Sequence, residues 1–155
     1  MRGRLLRAWA LGLGLGHLPV APGTWGSLLA FPLWWLCGGP GMPLTLALPL
    51  TFLLLLSAWA ACEEGEKAWG HDPSRVVVDE VAGQWLTLLL GPAALLGSWP
   101  GWLAAFLLFR LFDIWKPGWV DKAQRLPGGL GVLTDDVLAG LLAAACLWGG
   151  AWIWF

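Results

Sequence analysis

The chain has 155 residues, 58% of them hydrophobic and 12% charged, with 14 Trp, no Tyr and a net charge of −1. Ordinary globular domains carry about a quarter charged residues, so this composition excludes a soluble domain of the same length, which could not cover its surface. Lipid is the expected solvent for much of the chain, and no nucleic-acid partner is expected.

At the N-terminus, Arg2, Arg4 and Arg7 ahead of AWALGLGLG imitate a signal peptide. Glycines break its apolar core, and it runs into HLPVAPGTWGS rather than a small-residue cleavage site, so the segment is expected to stay. Trp25–Gly38 then reads as an apolar helix with Pro32 inside it. Gly41–Cys62 is uncharged and about 33 Å long as a helix, enough for a hydrocarbon core of roughly 30 Å. Val81–Phe109 is uncharged too, but GPAALLGSWPG at 91–101 divides it. The spacing predicts a hairpin of two short helices, Val81–Leu90 and Trp102–Phe112, either of them partly re-entrant. Val137–Phe155 is the final apolar run, about 28 Å as a helix. The expected fold class is all-α: a polytopic membrane bundle of four to five hydrophobic helices, some short, in a single domain over 1–155. Cys37, Cys62 and Cys146 lie in apolar segments without CxxC spacing, and none has Arg six residues on. Buried thiols are expected, not a disulfide framework, a zinc site or a cysteine-dependent phosphatase loop.

Every charged side chain falls in one of three windows, 2–7, 63–80 and 110–136. The two hairpins lie between the windows. A hairpin that enters a membrane and returns leaves its flanks on one side, so all three windows face one compartment. The 9 Lys and Arg then lie together, which assigns that side to the cytoplasm. Trp25, Trp69, Trp115 and Trp119 fall near this face, and Trp99, Trp102, Trp148, Trp152 and Trp154 near the other, as in aromatic belts. Packing between helices is the alternative for any one of them.

DEVAGQWLTLLL (79–90) and DDVLAGLLAAA (135–145) echo each other: an acidic pair, Val, then Gly83 or Gly140. Each pair is expected in the first turn of an apolar helix, where carboxylates complement the dipole and satisfy free N–H groups. The glycines allow close helix packing. If those helices meet, Asp79, Glu80, Asp135 and Asp136 converge, and a divalent cation is the economical remedy for their repulsion. Mg²⁺ suits carboxylate oxygens and completes its shell with water and phosphate. Asp79 and Asp136 are assigned catalytic as well as metal-binding roles.

FRLFDIWKP sets Arg110, Asp113 and Lys116 at three-residue steps on one helical face, with Pro117 closing the helix. One reading is an ion-pair ladder at a membrane boundary. The functional reading makes Asp113 a further metal ligand and puts Arg110 and Lys116 on phosphate oxygens. GLGLGHLPVAPGTWGS (12–27) cannot be helical throughout. Its glycines before a helix capped by Thr24 or Ser27 make an anion cradle, with Gly23, Thr24 and Ser27 on phosphate; a plain re-entrant turn is the alternative. LPGGLG (126–131) reads as a flexible loop delivering Asp135 and Asp136. His71 with Asp72 offers a general acid or base near neutrality, although a lone surface His is often inert. Glu63, Glu64, Glu66 and Lys67 read as a solvated helix end.

Taken in order, PGTWGS (22–27), DE followed by Gly83, FRLFDIWKP (109–117) and GGLGVLTDDVLAG (128–140) resemble the phosphatidylglycerophosphatase A family of small bacterial membrane phosphatases. The resemblance covers about Leu11 to Leu142. It implies a mostly helical protein that uses Mg²⁺ to hydrolyse phosphatidylglycerophosphate to phosphatidylglycerol and phosphate. It also implies a bacterial cytoplasmic (inner) membrane location, with the active site facing the cytoplasm. Such a lipid keeps its acyl chains in the bilayer and presents its phosphate at the charged face, where Asp135 and Asp136 lie. Direct attack by a metal-activated water is expected, since there is no DxDx motif, suitable cysteine or PSGH signature. A CDP-alcohol phosphotransferase is the nearest rival enzyme, but its DGxxAR…GxxxDxxxD pattern is missing. A non-enzymatic cation-binding or transport component needs ionisable groups near mid-bilayer, whereas these charges lie at one face. A phosphatase for another phosphomonoester lipid stays open, as does the oligomeric state.

Overall fold

A computed structural model describes residues 1–154, in which the chain forms eight α-helices and no strand among the described residues. α1 (Arg2–Ala10) leads through a tight turn over Gly12–His17, where Leu13 and Gly14 take φ of 58° and 115°. α2 (Pro22–Leu36) begins before the expected Trp25. Pro22 is at its start, where the missing N–H costs nothing, and Ala21 precedes it with φ 46°. Neither Thr24 nor Ser27 caps this helix: the Ser27 hydroxyl donates back to the Gly23 carbonyl at 2.9 Å.

α3 (Leu44–Trp69) starts behind Pro43 rather than at Gly41 and runs past Cys62. Its last turns hold the Lys67–Glu63 ion pair at 3.0 Å, and Gly70, at φ 95°, ends it. The divided hairpin consists of α4 (Val78–Leu90), the single turn α5 (Ala93–Leu96) and α6 (Trp99–Trp115). A short α7 (Trp119–Gln124) precedes α8 (Gly129–Trp154). Phe155, the expected end of the last helix, and the side chain of Trp154 lie outside the described residues.

The larger correction concerns the start of α8. The expected loop over 126–131 is partly helix, so Asp135 and Asp136 sit two turns inside α8 rather than in its first turn. Gly129 allows this, because a methyl group there would overlap the Cys62–Glu63 backbone. Its free N–H is satisfied by Glu63 Oε2 at 2.8 Å.

Two helices, α3 and α8 over Gly129–Trp152, are long and apolar enough to cross a membrane. α2, α4 and α6 are shorter, about 20–26 Å, so of the expected four to five hydrophobic helices two have full spanning length. α3 turns Leu44, Leu48, Phe52 and Leu53 outward, and such an apolar exterior belongs in lipid. α4 is the centre of the bundle, packed on α8, α2, α6 and α3. Val81, Trp85 and Leu88 meet Ala30 and Trp34 of α2, while Val78 and Ala82 meet Ala58 and Cys62 of α3. Cys62 is buried as expected, Cys37 is half-buried, and Cys146 is exposed on the outer surface of α8. The charged windows meet in space: Arg7 pairs with Glu64 at 3.9 Å, Asp72 bonds Gln124, and Lys116 pairs with Asp135.

Candidate active site

The site is set by how closely α4 and α8 approach. A methyl group on Gly140 would overlap the Gly83 carbonyl, and one on Gly83 would press on the Asp136 carbonyl and the Phe109 ring. The Thr87 hydroxyl lies across the seam, 3.1 Å from the Gly83 carbonyl and 3.2 Å from that of Gly140. Asp79 lies one turn before Gly83, and Asp136 one turn before Gly140. The glycine contact therefore brings these two carboxylates together. Asp79, Glu80 and Asp136 each offer an oxygen within 4.8 Å of the others.

Glu80 lies on the side of this group nearest α2. Gly23 leaves room for it, since a Cβ at that position would collide with the Glu80 carboxylate and come 3.3 Å from Arg110 Nη1. Arg110 Nη1 donates to Asp113 and lies 3.5 Å from the Ser27 hydroxyl. On the opposite side, Lys116 Nζ donates to Asp135 at 2.5 Å, and the Asp136 amide donates to the other Asp135 oxygen at 3.0 Å. Asp113 and Asp135 are thus each matched by a cation. Among the described residues, Asp79, Glu80 and Asp136 have no basic partner.

That imbalance is costly. Asp79, Asp113, Asp135 and Asp136 are all less than a tenth exposed, and Asp79 Oδ1 and Glu80 Oε2 are buried without a hydrogen-bond partner. Asp79 and Glu80 precede the apolar part of α4. Burial first, then the charge of Glu80, raises the Asp79 pKa well above its usual range. Burial likewise pushes Glu80 up to about 7, with Asp113 adding to the shift and its bond to Asp79 and the charge of Arg110 opposing it. Burial works against the charge of Lys116, but its bond to Asp135 together with the negative charges around it outweighs that, and its pKa rises. Clustered carboxylates resist ionising together unless a cation joins them. The donor set is all hard oxygen, and its orphaned oxygens converge, so a small divalent ion such as Mg²⁺ fits these residues.

The family model described as "PgpA: Phosphatidylglycerophosphatase A" matches residues 8–151. The chain belongs to the phosphatidylglycerophosphatase A family. It is accordingly a phosphoric monoester hydrolase. It is 36% identical to phosphatidylglycerophosphatase A of Escherichia coli K12, over 90% of this chain and 79% of that protein. Identity to the Haemophilus influenzae protein of the same name is 38%, over 86% and 81%. A Bacteroides thetaiotaomicron protein named "Putative phosphatidylinositol-3-phosphatase" is 42% identical over 92% of this chain and 91% of its own length. No solved structure matches significantly.

For this family member, the structure brings Asp79, Glu80, Asp113, Asp135, Asp136, Arg110, Lys116, Gly23 and Ser27 into one constellation. Thr24 is half-buried in the same turn as Gly23. His71 is exposed, with Nδ1 2.6 Å from Glu66 Oε1 instead of in the cluster. Asp72 is tied to Gln124, although its charge is felt at Asp135 and Lys116. Lys116 does not share the Arg110 face: it leaves α6 in a left-handed conformation (φ 47°, ψ 64°) and reaches across to α8. Pro117 was the available signal, because the residue before proline is pushed out of the helical region. Three supporting residues were not read from the sequence: Thr87 on the seam, Glu63 at the start of α8, and Gln84, one turn beyond Glu80. Gln84 is fully buried, with both side-chain polar atoms unpartnered.

Proposed function

We propose that this family member hydrolyses the phosphomonoester of phosphatidylglycerophosphate, releasing phosphatidylglycerol and phosphate, at the cytoplasmic face of a bacterial inner membrane. The observation that carries the reading is three carboxylates without a basic partner among the described residues, Asp79 and Asp136 buried and Glu80 half-buried, framed by Arg110 and Lys116 and set beside apolar helices that suit lipid. Asp79, Glu80 and Asp136 would hold Mg²⁺, with Asp113 and Asp135 adjacent. When bound, the ion supplies neutralisation of phosphate charge and an acidified water. Arg110, a planar fork, and Lys116, a compact ammonium, draw the phosphate oxygens in and stabilise charge on the transferring group. Hydrolysis forms one P–O bond to a water oxygen and breaks the P–O bond to the glycerol oxygen, which leaves with a proton. Direct attack by water remains the proposed course; trapping a phosphoryl-aspartate would overturn it. His71, engaged with Glu66, lends no support to its own role as acid or base.

The gathering of the charged windows at one end supports the membrane orientation, since it places the 9 Lys and Arg together. A second reading comes from the Bacteroides relative, whose name specifies a phosphorylated inositol lipid. The test is phosphate release by detergent-solubilised protein from phosphatidylglycerophosphate and from phosphatidylinositol 3-phosphate, each with Mg²⁺ and with EDTA. Metal-dependent release from the first is expected. Preference for the inositol lipid would replace the substrate, and no release from either would remove the phosphatase reading.

A further inference from the structure

One face of α6 carries Trp102, Phe106 and Arg110 at successive turns, and one face of α2 carries Gly23, Ser27 and Phe31 with the same spacing. The two columns face each other. Arg110 lies 3.5 Å from the Ser27 hydroxyl at the polar end, and the Phe31 and Trp102 rings are 6.0 Å apart at the other. Between these contacts the helices do not close. They leave a groove of about 410 Å³ lined by Leu28, Phe31, Trp102, Leu103 and Phe106. The groove and the Arg110–Ser27 contact beyond Phe106 together extend about 12 Å along the helix axis. Its floor is fixed, because Trp102 donates to the Leu96 carbonyl at 2.7 Å and meets the Trp35 ring edge-on at 5.2 Å. Its outer lip is open, with Leu28 and Leu103 41% and 48% exposed.

We propose that this groove binds one acyl chain of the lipid substrate and so sets the depth at which its phosphate meets Arg110; the inference rests on the phosphatase reading above. The groove has an apolar lining, and one turn beyond Phe106 on the same face of α6 Arg110 meets the Ser27 hydroxyl. That arrangement matches an amphiphile with a phosphate head and a hydrocarbon tail. A helix about 10 Å across is too wide for a slot two turns long with a closed floor. The first part of the chain lies between Leu28 and Phe106, and the remainder leaves over the lip into the bilayer.

The test is Leu28→Trp and, from the opposite wall, Leu103→Trp, with Leu48→Trp on the outer face of α3 as the control. For each, kcat/KM is measured with dioleoyl and with dihexanoyl phosphatidylglycerophosphate in the same detergent. Filling the groove from either wall is expected to lower the dioleoyl-to-dihexanoyl ratio about tenfold, while the control keeps the wild-type ratio. Because the readout is a ratio, a general loss of folded protein cancels. A ratio unmoved by both groove variants, or moved as far by the control, overturns the groove as an acyl site. If the unaltered protein releases no phosphate from either lipid, the phosphatidylglycerophosphate reading falls and the groove assignment falls with it.

Discussion

α4 and α8 meet backbone to backbone, whereas α2 and α6 meet through aromatic rings and stand apart between them. In the first contact, Gly83 and Gly140 leave no space for a methyl group, and Thr87 ties the two carbonyls together. In the second, Phe31, Phe106 and Trp102 leave an open slot. The difference suits what each is proposed to hold. Carboxylates converging on a small cation tolerate little displacement, because metal geometry fails with errors of a few tenths of an ångström. A hydrocarbon tail needs only apolar walls and room.

Four substitutions separate these roles. Asp136→Asn keeps the seam intact but removes a charge from the cluster; phosphate release should fall by roughly a hundredfold or more, with thermal unfolding little altered. Gly140→Val wedges the seam apart. Overpacking of this kind costs about 1–3 kcal/mol, so the melting temperature followed by circular dichroism should drop and activity should fall with it. At the mouth of the groove, Arg110→Lys keeps the charge and loses the fork, and losing a charge-assisted bond predicts roughly a tenfold rise in KM. Thr87→Val deletes only the hydroxyl on the seam and should lower stability by about 1 kcal/mol. If Gly140→Val were as mild as Thr87→Val, the seam would not be the rigid element described here.

Much of this was legible because membrane chains sort their residues sharply. The division of 78–115 into two helices could be read from GPAALLGSWPG, and the pairing of α4 with α8 from the DE/DD echo and its glycines. The start of α8 could not. Gly128, Gly129 and Gly131 read as a loop because glycine weakens helices. Gly129 lies against the Cys62–Glu63 backbone and Gly131 against the Gln124 and Leu126 carbonyls, contacts with residues that local sequence does not reveal. Gly23 reads as part of a phosphate cradle, and the sequence does not show that its missing side chain makes room for Glu80. Spacing along one helix also could not show that Lys116 pairs with Asp135 of another.

The position of Asp135 and Asp136 two turns inside α8 has a consequence for biogenesis. A lone helix entering the bilayer with an ionised carboxylate is penalised, by up to about 3 kcal/mol at its centre on insertion scales and by less two turns from its end. α8 carries two such groups, and neither has a basic partner within its own helix. Lys116, which neutralises one, and Asp79 and Glu80, which share a cluster with the other, precede α8 in the chain. The earlier helices therefore form the receiving surface, and α8 gains a tolerable environment only as it docks there. Late, assisted integration of this segment is the expected outcome: a fusion carrying α8 alone should insert less efficiently than one in which both aspartates are replaced by leucine.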